Sequence, residues 1–284
     1  MKPMVAPRAA LAHLRGFDPA LPDLTVPELC RVLGREDVAK LSFNESPYGP
    51  SPRVAAALAA AVSRVHLYPD ATGKELKAAL AAHYGVSREM VFLTNGADEA
   101  LTLLAAALAG PGDEAVVPEP AFGTYVFAAR LMGAAPVPVP LRRPDLAIDL
   151  AAMAAAAGPR TKLIFLCNPN NPTGMLLDGA EIRAFLAALP PTAAVVLDEA
   201  YGEYAPAGAF APGVGLLAAY PNTVTVRTFS KIYGLAGLRL GYGIARPELA
   251  ELVERVRCPF NVNFLVQAAA LAALADEEYT AQVA

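Results

Sequence analysis

From residue 91 to residue 245 the chain alternates short apolar runs with longer stretches of helical spacing. Two of the runs, Leu163–Cys167 and Ala193–Leu197, have no polar alternation, which predicts strands buried on both faces. Thr223-Val-Thr-Val226 alternates with the period of two expected of a strand. Val91–Thr94, Glu114–Pro118 and Leu240–Ala245 read as further short strands. Ala135–Leu141 carries prolines at alternate positions, so it lacks ladder donors and predicts an edge strand.

Between these runs the spacing predicts helices. One covers Val26–Leu33. A second is capped by Ser51 with Pro52 in its first turn, and Val54, Leu58, Val62 and Val65 follow at near-helical spacing. A third starts at Thr72 and buries Leu76 and Leu80. Others start near Ala97, with Leu101, Leu104 and Leu108 on one side, and after Pro120–Tyr125. Further helices cover Ala147–Ala157, Glu181–Leu189 and Pro247–Arg257, and a last one runs from about Asn263 to Ala284. Apolar strands alternating with helices give an α/β protein with a mainly parallel sheet. Such sheets bind ligands beyond the carboxyl ends of their strands.

Composition narrows the picture. The chain has 284 residues, 55% of them hydrophobic, enough for a sizeable core. Its net charge is −4 and no long basic run occurs, which argues against nucleic acid as a partner. No apolar stretch is long enough to span a bilayer, and the proline- and arginine-broken first residues make a poor secretory signal. Three widely spaced cysteines and three histidines offer neither a disulfide set nor metal-ligand spacing. These features fit a cytoplasmic protein with reduced thiols and no metal.

Candidate chemistry falls just past the strand ends. Thr228-Phe-Ser-Lys231 follows one strand, and Arg239 stands eight positions beyond the lysine. A lysine there can hold an aldehyde, while hydroxyls and a guanidinium hold a nearby anion; pyridoxal phosphate presents both groups. The Ser-x-x-Lys of β-lactamases is an alternative, but its Ser-Asp-Asn and Lys-Thr-Gly partners are absent. Asp198 ends another strand and suits a ring-nitrogen partner, although such residues are often turn formers. Asn171, in the proline-rich Asn168–Gly174 loop, and Tyr201 can donate to a phenolic oxygen. The helix start at Ala97-Asp98, after a glycine turn, can accept a phosphate on its backbone N–H groups. Phe122 can lie against a flat ring or pack in the core.

Together these motifs resemble those of the fold-type-I pyridoxal-phosphate enzymes, within the class I/II aminotransferases. The likeness is closest to the histidinol-phosphate aminotransferases. It is carried by FNESPYGPSP (43–52), YPD (68–70), NGADEAL (95–101), PEPAFGTY (118–125), NPNNPTG (168–174), DEAY (198–201) and TFSKIYGLAGLRLGY (228–242). The resemblance implies Lys231 as the Schiff-base lysine, Asp198 as the partner of the ring nitrogen, and Asn171 and Tyr201 at the phenolic oxygen. It implies Phe122 against the ring, and Ala97, Asp98, Thr228, Ser230 and Arg239 around the phosphate. Tyr68 would reach the phosphate of a neighbouring subunit in a homodimer. The implied reaction moves an amino group from a small donor such as histidinol phosphate to 2-oxoglutarate. Aromatic aminotransferases, threonine-phosphate decarboxylase-like lyases and a non-catalytic module are the alternatives. The implied division is an N-terminal arm and part of a small domain (1–43), a large cofactor domain (44–258) and the start of an incomplete C-terminal small domain (259–284). The family's chains continue further and carry a substrate-binding arginine there, so low or absent turnover is expected of these 284 residues.

Overall fold

The computed structural model describes residues 8–14, 24–206 and 208–284, without the side chains of residues 12 and 13. Within the expected N-terminal arm, residues 1–7 and 15–23 therefore lie outside the described residues. Seven strands form one sheet: β1 (Val91–Thr94), β2 (Glu114–Glu119), β3 (Ala135–Pro140), β4 (Thr161–Cys167), β5 (Ala194–Asp198), β6 (Thr223–Thr228) and β7 (Gly241–Ala245). Their order is β1-β7-β6-β5-β4-β2-β3. The neighbours from β6 through β3 pair in parallel, whereas β7 runs antiparallel to both β1 and β6. Proline-rich β3 takes the edge, where its missing donors leave no ladder unpaired on the outer side.

Period-two alternation sorts each central strand between two cores. Phe165 and Cys167 of β4 and Val196 of β5 join Leu101, Leu104 and Tyr125, which come from α4 (Ala97–Leu108) and α5 (Thr124–Met132). Ile164, Val195 and Leu197 point the other way, to Met153 of α6 (Leu150–Ala156) and Ile182 and Phe185 of α7 (Gly179–Ala188). Beside them, Leu76 and Leu80 of α3 (Lys74–Tyr84) and Val266 of α9 (Phe264–Leu274) pack on Leu93, Tyr242 and Ile244. The remaining helices are α1 (Val26–Leu33), α2 (Pro52–Ala61), α8 (Pro247–Val256) and α10 (Glu277–Val283). Among the described residues no helix is long and apolar enough to cross a membrane.

Two expectations need correction. The helix from Ser51 buries Val54, but it ends at Ala61 and tightens into a 3-10 turn over Val62–Arg64. That turn has three residues per revolution, which rotates the following side chains off the buried stripe. Val62 and Val65 are consequently 56% and 55% exposed. The last helix is not continuous to the end. It breaks at Ala275-Asp276, where buried Asp276 takes a non-helical conformation and its carbonyl accepts from Thr280 N and Oγ1. Arg53 donates to the Ala275 carbonyl freed by the break (3.0 Å).

The entry into α3 depends on Asp70. Its carboxylate accepts from the backbone of Thr72 and Lys74, both at 3.0 Å, and those bonds lower its pKa to about 2. The stabilisation is therefore complete above the ordinary carboxylate value of about 4 and is lost as pH falls through 2. Asp70→Ala should cost about 1 kcal/mol at pH 7, the usual scale for a lost cap. Denaturant unfolding across pH should show the gap between wild type and variant narrowing below pH 4; a gap independent of pH contradicts the assignment.

Candidate active site

The carboxyl ends of β1, β4, β5 and β6 fall on one edge of the sheet. Because β7 is antiparallel, it starts on that same edge, with Gly241 paired to both Thr94 and Thr228. Arg239, two residues upstream, is thereby delivered to the mouth of the strands that carry Asp198 and Lys231. A cavity of about 560 Å³ opens there. Lys231, Asp198, Asn171, Tyr201 and Phe122 line it, as do Ala97, Asp98, Thr228, Ser230 and Arg239. All the expected site residues but one thus meet in one place. Tyr68 is the exception; it is 83% exposed and its ring packs on Phe260.

Lys231 follows the end of β6 and donates from Nζ to the Phe43 carbonyl at 2.7 Å. Its ammonium lies 5.7 Å from the centre of the Tyr201 ring. Burial lowers its pKa, and Arg239 adds to that while Glu45 opposes it. A lowered pKa makes the free amine more accessible. Asp198, the last residue of β5, is buried at the cavity floor. Tyr125 donates to its Oδ2 at 2.7 Å, and Ala200 N donates to its Oδ1 at 3.0 Å. Burial raises the Asp198 pKa, and these two bonds restrain the rise.

At the opposite corner sits an anion-binding group. Arg239 donates to Ser230 Oγ (3.4 Å) and to the Asp98 carboxylate (3.1 Å), which also accepts from Thr124 (2.8 Å). Asp98 therefore contributes to an anion through the N–H groups of the α4 start, with its charge already paired. Gly96 keeps this corner tight: a Cβ there would collide with the Arg239 guanidinium. The Thr228 hydroxyl is committed inside the protein, donating to the Leu240 carbonyl (3.1 Å) and accepting from Ser230 N (3.1 Å). It shapes the Ser230 turn as well as lining the cavity.

Across from the anion corner, Tyr201 receives Asn44 Nδ2 at 2.9 Å and Asn171 Nδ2 at 3.4 Å. The loop carrying Asn171 is braced from within: Asn168 accepts from Leu177 N (2.8 Å), and Asn170 donates to Thr173 (2.9 Å). Phe122 meets the edge of Tyr125 with centroids 5.8 Å apart, and Tyr125 stacks on Phe165 at 4.9 Å. The buried Cys167 thiol lies beneath the cavity, donates to the Pro169 carbonyl (3.2 Å) and has its pKa pushed up to about 12 by burial. It is a packing residue, inert as a nucleophile.

Several contributors lie inside the quoted motifs without having been given a role there. Tyr125 reads as one more core aromatic at helical spacing, and only its hydroxyl against Asp198 shows otherwise. Phe43 and Asn44 come from the turn-rich segment before α2 and close over Lys231 and Tyr201. Glu45, from the same segment, also lines the cavity.

The arrangement offers an amine with lowered pKa, a buried acid, a ring face and an anion corner within one cavity, which suits a flat, aldehyde-bearing anionic ring. Residues 36–283 match the family model of class I and II aminotransferases. A histidinol-phosphate aminotransferase of Moorella thermoacetica is 49% identical over 96% of this chain and 69% of its own length. The crystal structure of histidinol-phosphate aminotransferase from Sinorhizobium meliloti in complex with pyridoxal-5'-phosphate superposes with a TM-score of 0.88 at 34% identity, over 99% of this chain and 74% of that one. The L-threonine-O-3-phosphate decarboxylase of Porphyromonas gingivalis superposes at 0.70 with 26% identity, over 81% of this chain and 70% of that one. With a family model spanning nearly its whole length and relatives approaching half identity, this chain belongs to the class I and II aminotransferases.

Proposed function

We propose that this chain binds pyridoxal 5'-phosphate and transfers the amino group of histidinol phosphate to 2-oxoglutarate. The single observation that carries the reading is the meeting of Lys231, Asp198 and the Arg239–Ser230 corner in one cavity. The similarity to relatives named histidinol-phosphate aminotransferase supports the donor. The residues fit the cofactor. Lys231 would hold its aldehyde carbon, Asp198 its ring nitrogen, Phe122 its face, and Asn171 and Tyr201 its phenolic oxygen. Arg239, Ser230, Thr228 and the N–H groups of Ala97 and Asp98 would surround its phosphate.

The bound cofactor supplies an electron-withdrawing ring that makes the α-hydrogen of the amino donor acidic. Everything else falls to the chain. Asp198, buried at the cavity floor, would keep the ring nitrogen protonated through its charge. Lys231 Nζ, with burial favouring its neutral form, takes the proton from the donor's α-carbon and returns it. Tyr201 and Asn171 would hold the phenolic oxygen by hydrogen bonds, and Phe122 would face the ring. On this reading residues 44–258 form the cofactor domain, the described residues before 44 belong to an N-terminal arm and part of a small domain, and residues 259–284 belong to a C-terminal small domain.

We further propose a homodimer in which Tyr68 reaches the neighbouring phosphate site. Val62, Val65, Leu67 and Tyr68, close together in the sequence, are each about half or more exposed. Exposed apolar side chains gathered in one segment suit an association surface.

A panel of amino donors with 2-oxoglutarate should give glutamate fastest from histidinol phosphate. Lys231→Ala should lower that rate by roughly 10²–10⁴-fold. Carbon dioxide release from phosphothreonine without glutamate would contradict the transferase reading. Tyr125→Phe should destabilise the protein by about 2 kcal/mol at pH values where Asp198 is ionised, the scale of a hydrogen bond to a charged group. The lost donor lowers the Asp198 pKa in the wild type, so the gap is full while Asp198 is ionised and closes as pH falls through its pKa. Thermal unfolding against pH measures it, and an unchanging gap contradicts the assignment. Sedimentation should give a dimer at micromolar concentration, and Tyr68→Ala should weaken cofactor binding; a monomer that holds the cofactor tightly contradicts the dimer.

A further inference from the structure

Beneath the site, on the face of the sheet away from the cavity, lies a buried charge cluster that the reaction does not use. Strand alternation at the end of β5 sends Asp198 to the cavity and the next residue, Glu199, to the opposite face. There Glu199 Oε2 receives both Nε (2.9 Å) and Nη2 (2.8 Å) of Arg227 on β6. The third guanidinium nitrogen, Nη1, donates to Glu203 Oε1 at 2.7 Å. Arg227 and Glu199 are 5% and 2% exposed. Burial works against the charge on Arg227, and the two carboxylates more than offset it, so its pKa stands well above its ordinary value.

The two carboxylates bracket Tyr201 at positions two before and two after it. Between them the chain makes one 3-10 turn, Gly202–Tyr204. That turn packs directly on the guanidinium: a Cβ at Gly202 would sit 3.0 Å from Arg227 Nη2 and from the Phe210 ring. The second oxygen of Glu199 accepts from Gly213 N, which ties the returning loop to the same anchor. Tyr201 itself is only half-buried, so its own packing does not fix it. Its hydroxyl nevertheless has to meet Asn44 and Asn171 across the cavity. Replacing a buried ion pair by apolar residues is often neutral for stability. The cluster's geometry therefore points to a purpose beyond holding the core together.

We propose that Arg227, clamping Glu199 and Glu203, is the positioning residue that sets Tyr201 against the phenolic oxygen of the cofactor. The inference rests on the cofactor assignment above. Arg227 also joins the end of β5 to the end of β6, because Glu199 N bonds to Val226 O (2.9 Å) and Thr228 follows directly. One guanidinium thus registers Asp198 and Tyr201 against Ser230 and Lys231. Its planar fork matters: a lysine can carry the charge but cannot hold two carboxylates at fixed separation.

The test is a double-mutant cycle on pyridoxal-phosphate affinity, read by absorbance titration of the cofactor. Arg227 variants risk misfolding, so the cycle uses Glu203, the more accessible arm. Glu203→Ala should weaken binding about tenfold, within the range of coupling between contacting residues. Glu203→Gln, which keeps the acceptor, should recover most of it. In a Tyr201→Phe background, Glu203→Ala should change affinity less than about twofold, since the hydroxyl it positions is gone. A tenfold loss in both backgrounds, or none in the first, overturns the proposal. Should the unsubstituted chain fail to take up cofactor at all, the cofactor assignment fails, and hydrogen exchange then decides the clamp. Glu203→Ala must speed amide exchange across residues 199–204 at unchanged melting temperature, and unaltered exchange refutes it.

Discussion

An acid buried at the floor of the cavity governs this molecule. Asp198 ends β5 inside the protein, and every neighbour can be understood by what it does for that carboxylate. Tyr125 and the Ala200 N–H each give it a hydrogen bond. Phe165 and Phe122 hold Tyr125 in place through ring contacts. Cys167 fills the remaining space with a thiol that burial keeps neutral. A buried acid with only two donors is an acid in need of a cationic partner, and a protonated pyridine nitrogen meets that need.

The sheet supplies the other constraint. A single antiparallel strand among parallel ones brings Arg239 to the edge where the parallel strands end. Were β7 parallel, its preceding segment would emerge at the far edge and the anion corner would lack its guanidinium. Gly96 then lets the arginine lie against the α4 start, and Asp98 holds it there. Beneath, Arg227 registers β5 and β6 by a second set of charges. Arg239 lines the cavity, whereas Arg227 lies buried in the frame beside it.

Much of this was legible in the residues. The strands announced themselves because fully buried strands cannot alternate, and β3 because prolines belong at an edge. The site residues 97, 98, 122, 171, 198, 201, 228, 230, 231 and 239 were readable because they fall in the quoted motifs, and Asn171, Asp198 and Lys231 also because each falls just past a strand end. The direction of β7 was not, since one short apolar run looks alike in either sense. Nor were Tyr125 and Arg227, whose partners lie 73 and 28 residues away and meet them only across the sheet. The exposure of Val62 and Val65 was hidden for a different reason. A 3-10 turn keeps helical spacing in sequence while changing the face it presents.

The central claim is that Lys231 carries the cofactor. Its most direct test is borohydride reduction of the purified chain with pyridoxal phosphate, followed by digestion and mass spectrometry. The account predicts one pyridoxyl adduct, on Lys231. No adduct, or labelling spread equally over surface lysines such as Lys74 and Lys162, would contradict it.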